Sequence, residues 1–108
     1  MRYLRKRRGN LSFIQKSKVK ELSEDHKPEL KSESDRVIKA GGYISDGRIN
    51  GNLNLSRALG DLEYKKNQDL GVDEQLIIAV PEIRKRVLGP GDEFILMGCD
   101  GIWEMKSN

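Results

Sequence analysis

Two carboxylates, Asp100 and Glu104, hold the spacing with the most chemical content. Asp100 follows directly on a run of apolar residues, Phe94-Ile95-Leu96-Met97-Gly98-Cys99, and is followed by Gly101, with Glu104 four positions further on. A carboxylate at the end of a buried strand has its backbone fixed by the sheet, so its oxygens are aimed with little freedom. Hard cations such as Mg²⁺ and Mn²⁺ take oxygen ligands of this kind, commonly one or two carboxylates completed by water. Gly101 permits a sharp turn and leaves room beside the backbone. If the chain becomes helical after Asp100, Glu104 falls on the same side and the two carboxylates flank one metal cluster. The same residues also read as Asp-Gly punctuation with a solvated acid, and local sequence leaves both readings open. Zinc of the usual Cys/His kind is excluded, because the chain has one histidine, His26, and one cysteine, Cys99. A single cysteine forms no internal disulfide and fits a reducing compartment, so an intracellular protein, cytoplasmic or nuclear, is expected.

Such residues need elements to hold them. Leu11 to Ile14 and Val19 to Leu22 are short β-compatible runs, and Lys16-Ser17-Lys18 makes a hairpin tip between them. A polar loop with Pro28 leads into a helix expected over Glu29 to Ala40, with Leu30, Val37 and Ile38 on its apolar face. Gly41-Gly42 stops it. Asp46-Gly47 signals a hairpin between Tyr43-Ile44-Ser45 and Arg48 to Asn50. Alternation of Leu53 and Leu55 with polar neighbours predicts a further strand there. Leu62 to Glu74 is charged and without clean period, a surface excursion with room for a short helical turn. Gln75 to Val80 and Ile83 to Leu88 are strand-like on either side of Pro81, Gly89-Pro90-Gly91-Asp92 is a turn, and Glu93 to Cys99 predicts a buried strand. The pattern is strand-rich and antiparallel, with one or two helices.

At 108 residues, 36% hydrophobic and 34% charged, the sequence is one domain at most, or a piece of one. No apolar stretch is long enough for a membrane span. The net charge of +3 is concentrated at the start, where Arg5-Lys6-Arg7-Arg8 sits in a stretch free of acids; the remainder is net acidic. A nuclear-import signal, a nucleic-acid contact or an acidic-lipid contact would use such a cluster, but a solvated, frayed end is the preferred reading, so a nucleic-acid partner is not expected.

The segment "CDGIWE" at Cys99 to Glu104 resembles the "CDGIWD" motif of the PP2C-type, metal-dependent protein serine/threonine phosphatases. "LSEDHKPEL" at Leu22 to Leu30, "KAGGYI" at Lys39 to Ile44 and "NGNLNLSRALGD" at Asn50 to Asp61 agree in order and spacing. "EQLIIAVPEIRKRVL" at Glu74 to Leu88, ahead of Asp92-Glu93-Phe94, is similar too. The resemblance covers residues 22–108, as the C-terminal portion of such a domain, with residues 1–21 a basic arm and first hairpin that match the family poorly.

The resemblance implies an α+β fold, here a truncated, partial α-β-β-α sandwich of antiparallel sheets. It implies two or more Mg²⁺ or Mn²⁺ ions that activate a water to hydrolyse phosphoserine or phosphothreonine in partner proteins. It makes Asp100 one of the metal ligands. Glu104 stands where the family usually has an aspartate tied to an additional, weaker metal site. Arg57, in "SRALGD", either assists phosphopeptide binding or pairs with Asp61. Leu62 to Glu74 corresponds to the variable flap that influences substrate choice. His26 lies in a structural loop rather than the acid-base position, while Trp103 and Cys99 are expected in the core.

Several family parts are lacking. No Asp-Gly pair is followed by His, as the family's "DGHGG" motif requires. Its early phosphate-binding arginine and terminal "DN" aspartate are missing, and "GNLS" at Gly9 to Ser12 has Asn10 where "GDSR" has its aspartate. No catalytic residue is assigned. The chain alone is expected not to hydrolyse phosphate esters efficiently and to require the N-terminal half of the domain. The alternative is a non-catalytic PP2C-like scaffold that binds or regulates.

Overall fold

Lys31–Lys39 forms α1 in the computed structural model, which describes residues 11–15 and 18–103. Glu33 in its first turn and Arg36 and Lys39 in its last complement the helix dipole. Gly41, at φ 87°, ends it: the Gly41 N–H donates to Ile38 O and the Gly42 N–H to Val37 O, closing two otherwise open carbonyls. Gly42 is required for space as well, since a Cβ there would collide with Leu76 and press on Val37. The buried face differs from the expected one. Val37 is fully buried, but Leu30 and Ile38 are exposed, Ile38 by 63%. The place one turn before Val37 is taken by Glu33, also fully buried.

β3 (Ile44–Ser45) and β4 (Arg48–Ile49) form the expected hairpin around Asp46-Gly47, whose φ values of 50° and 71° match the mirror-image turn suited to twisted strands. The strand expected at Leu53 to Leu55 reduces to one bridge, Ile49 to Leu53, because the chain turns tightly between them. Val37, Ile49 and Ile77 make the core, with Ile44, Leu53, Ala58, Tyr64 and Leu76 packed against it.

Gln75 to Val80 is not a strand. Gln75, Ile77 and Ile78 are buried, yet among the described residues the ladder contact is a single parallel bridge from Ile78 to Arg57. Side chains take the carbonyls that a neighbouring strand would use: Arg36 donates to Gln75 O and Arg57 to Val80 O. The expected helical turn after Gly60 is present as a short 3₁₀ turn, Leu62–Tyr64.

The chain divides into two compact units, His26–Pro81 as above and Met1–Asp25 with Glu82–Asn108. In the second, β1 (Leu11–Gln15) pairs antiparallel with β2 (Lys18–Glu21) and with β5 (Asp92–Met97), in the order β2-β1-β5. Of the hairpin tip expected at Lys16-Ser17-Lys18, Lys18 instead opens β2, paired with Gln15, and the other two residues lie outside the described residues. The turn before β5 is as expected, with Asp92 N–H on Gly89 O at 3.0 Å and Gly89 N–H on the Asp92 carboxylate at 2.7 Å.

Two expectations fail in this unit. Ile83 to Leu88 forms no strand: no described strand lies alongside to complete a ladder, and its polar residues pair locally, Arg84 with Glu82 and Arg86 with Asp92. β5 is a strand, but Phe94, Ile95 and Met97 are 51%, 53% and 73% exposed rather than buried, because no described layer covers it. α2 (Asp100–Trp103) follows. Among the described residues, no helix is long and apolar enough to cross a membrane.

Candidate functional site

Asp100 opens α2, so the chain does become helical at the point the two-carboxylate reading requires. Its Oδ1 accepts the Gly101 N–H at 2.9 Å and the residue is exposed. Glu104 lies outside the described residues, as does the side-chain packing expected of Trp103. Cys99 is exposed, not in the core as expected, because the end of β5 is uncovered. Among the described residues, no three His, Cys, Asp or Glu side chains gather to hold a metal ion. One exposed carboxylate is too small a donor set for the implied pair of hard divalent ions, so the described residues alone do not fit that centre.

A second group of polar residues is built far more tightly. Glu33, on α1, has no side-chain exposure. Its Oε2 accepts from Arg36 Nη1 at 2.7 Å, Ser56 Oγ at 2.8 Å and Arg57 Nε at 3.1 Å, and its Oε1 accepts from Arg57 Nη2 at 2.5 Å. Arg57 thus grips the carboxylate with two nitrogens, the strong side-on form of the pair. The same donors reach the backbone. Arg36 Nη2 donates to Ser56 O at 2.7 Å, Arg57 Nη1 donates to Val80 O at 3.0 Å, and Ser56 Oγ bonds His26 O. One carboxylate therefore ties α1 to the loops at His26, Ser56-Arg57 and Val80.

Burial by itself would raise the Glu33 carboxyl. Hydrogen bonds from Arg57, Arg36 and Ser56, with the Arg36 charge, outweigh it and hold the pKa at about 2. At neutral pH Glu33 is an anion committed to two guanidinium groups, suited to fixing loops and not to moving protons. Arg57 thus pairs with Glu33, a carboxylate outside the "SRALGD" stretch that holds Asp61.

The family model described as "Protein phosphatase 2C" matches residues 10–108. This chain belongs to the protein phosphatase 2C family. It is 61% identical over 84 residues to "Probable protein phosphatase 2C 2" of Paramecium tetraurelia, covering 78% of this chain and 28% of that one. To "Protein phosphatase ppm-1.G" of Caenorhabditis elegans it is 58% identical over 86 residues, 80% of this chain and 18% of that one. The crystal structure of a phosphatase from Toxoplasma gondii superposes with a TM-score of 0.72 at 34% identity, over 89% of this chain and 30% of that one. The chain thus spans less than a third of the length of these relatives. Its helices and antiparallel strands agree with a PP2C-type phosphatase fold.

Apolar periodicity did not reveal Glu33. The available signal was its spacing: Glu33 lies four residues before Val37 on the same helical face, and three before Arg36.

Proposed function

We propose that these residues form part of the catalytic domain of a metal-dependent protein serine/threonine phosphatase acting on phosphoserine and phosphothreonine proteins. The observation that carries this reading is the family match across residues 10–108, which includes Asp100 at the start of α2, just after β5. In this reading Asp100 is one ligand of a Mg²⁺ or Mn²⁺ centre, and Glu104 serves a further metal site. The other carboxylates come from sequence beyond these 108 residues. Arg57 acts through its ion pair with Glu33, holding the loops, rather than by gripping phosphopeptide. The segment Leu62 to Glu74 faces the phosphoprotein.

The partial sandwich is part of the same proposal. Along β5, Phe94 and Leu96 alternate with Ile95 and Met97, so the strand is apolar on both sides, a pattern suited to a sheet covered on both faces. That supports a middle layer awaiting further chain.

The test is Mn²⁺- or Mg²⁺-dependent release of phosphate from a phosphothreonine peptide by the gene product that carries these residues. Turnover that a chelator abolishes and that Asp100→Asn sharply reduces is expected. Turnover absent in the wild type, or unchanged by both treatments, overturns the reading. The second reading is a PP2C-like binding module without catalysis. Stable partner capture insensitive to chelator distinguishes it.

A further inference from the structure

Between the short 3₁₀ turn at Leu62–Tyr64 and the core residue Ile77 runs a long segment without regular structure. Long irregular loops in compact units are commonly functional, and they hold one shape only where something fixes their backbone. Surface side chains contribute single bonds, Asn67 Oδ1 accepting the Asp69 N–H at 3.0 Å and Glu74 Oε2 the Gly71 N–H at 3.3 Å, but one buried side chain gathers several of the loop's backbone groups at once. Gln75 is 5% exposed, and its Nε2 donates to the carbonyls of Asn67 at 2.7 Å, Leu70 at 3.0 Å and Gly71 at 3.2 Å. Its Oε1 accepts the Asn67 N–H at 3.1 Å. Three carbonyls on one side of the amide and an N–H on the other admit only one orientation of the group, with one amide hydrogen shared between two carbonyls. Gln75 is in turn fixed from behind: its own carbonyl accepts Arg36 Nε at 3.2 Å, and Arg36 is bound to Glu33.

Outside this latch the segment shows water both apolar and charged groups. Leu62 and Val72 are exposed by 71% and 84%, and Lys66, Asp69 and Asp73 are exposed beside them. Tyr64 ties the start of the segment to the core; beyond it, at residues 67–71, the surface is set by backbone shape and the bonds that hold it.

We propose that Gln75 is a specificity-determining positioning residue: it fixes the loop at residues 67–71 and thereby the surface that Leu62 to Glu74 presents to a phosphoprotein. It touches no reacting atom, and the proposal rests on the phosphatase reading above. Gln75→Met keeps the size of the side chain and removes all four hydrogen bonds. Gln75→Glu keeps its length but turns a carboxylate toward three carbonyls.

Amide hydrogen exchange on the 108-residue chain tests the latch. In Gln75→Met the Asn67 amide is expected to exchange faster on the order of ten- to a hundredfold, the loss of one to two buried hydrogen bonds. Val37 and Ala40 amides in and after α1 should keep their protection. Kinetics of the gene product test the substrate half: KM for a phosphothreonine peptide is expected to rise on the order of tenfold, with kcat for para-nitrophenyl phosphate unchanged.

Unchanged Asn67 exchange overturns the latch. Faster exchange with unchanged KM overturns the role in specificity. If both variants lose protection in α1 as well, Gln75 is a general core residue and the local latch is wrong. A wild type without turnover removes the phosphatase reading and the substrate half together, and the exchange result still decides the latch.

Discussion

In the unit His26–Pro81, Val37, Ile49 and Ile77 leave water together with a carboxylate, whereas in the sheet unit Phe94, Ile95 and Met97 stand half or more in water. The usual expectation is the reverse, with charge outside and hydrophobes inside. In the first unit the buried charge is tolerable because Arg36, Ser56 and Arg57 surround it. In the second the apolar strand is unmatched by any described layer. Sensitivity to substitution should therefore follow enclosure by neighbours and not hydrophobicity. A polar change at Glu33 should matter more than an apolar deletion in β5.

The largest effect is expected from Glu33→Ala. It leaves Arg36 and Arg57 without their buried anion, and losing one partner of such a pair costs about 3–5 kcal/mol. Urea unfolding monitored on residues of His26–Pro81 checks it, and a loss no greater than that of an exposed substitution would erase the contrast between the units.

Acid probes the same group without mutation. Because the folded carboxyl sits at about 2, below its usual 4.5, the fold favours the ionised form. That stability is complete above about pH 4.5 and is lost as pH falls toward 2. The melting temperature of the wild type should drop across this window, and that of Glu33→Gln should lack this contribution. Parallel curves for the two proteins would show that Glu33 is not the titrating group.

Gly42→Ala should come next. The added methyl meets Leu76 and Val37 in a filled space, and overpacking of this kind costs about 1–3 kcal/mol. Gly89→Ala makes a matched control, since nothing lies near its Cβ position.

Smallest of all is Phe94→Ser, expected within about 0.5 kcal/mol in this chain, as for other exposed positions. The same change in the gene product that carries these residues should cost several times more if a further layer covers β5. Equal costs in both would mean that β5 stays exposed.

The sequence made plain what depends on near neighbours. α1 and its Gly41-Gly42 stop, the Asp46-Gly47 hairpin, the turn at Gly89 and the strand at Phe94 each follow from a few adjacent residues. What escaped depends on residues far apart in the chain. Ile77 and Ile78 have strand propensity, yet arginines from α1 and from Arg57 claim carbonyls on that stretch. Ile83 and Val87 have it too, and find no described strand to pair with. Glu33 reads as one more charge on a charged helix until Ser56 and Arg57 are known to lie against it. Asp100 was legible as a chain position, at a strand end opening a helical turn. The ligand role proposed for it would need further carboxylates, and among the described residues no three His, Cys, Asp or Glu side chains gather around a common point.

β1 and β5 are neighbours in the sheet but come from opposite ends of the chain, with all of His26–Pro81 between them. Their pairing must close that whole span, which delays it by the entropy of a long loop. The hairpin Ile44–Ile49 and helix α1, by contrast, close over short stretches. During synthesis the inner unit is made while β1, with β2 already beside it in sequence, still lacks β5. The order of events in folding is therefore expected to run from the inside of the sequence outward, with the Glu33 network set before the strand that leads to Asp100 takes its place.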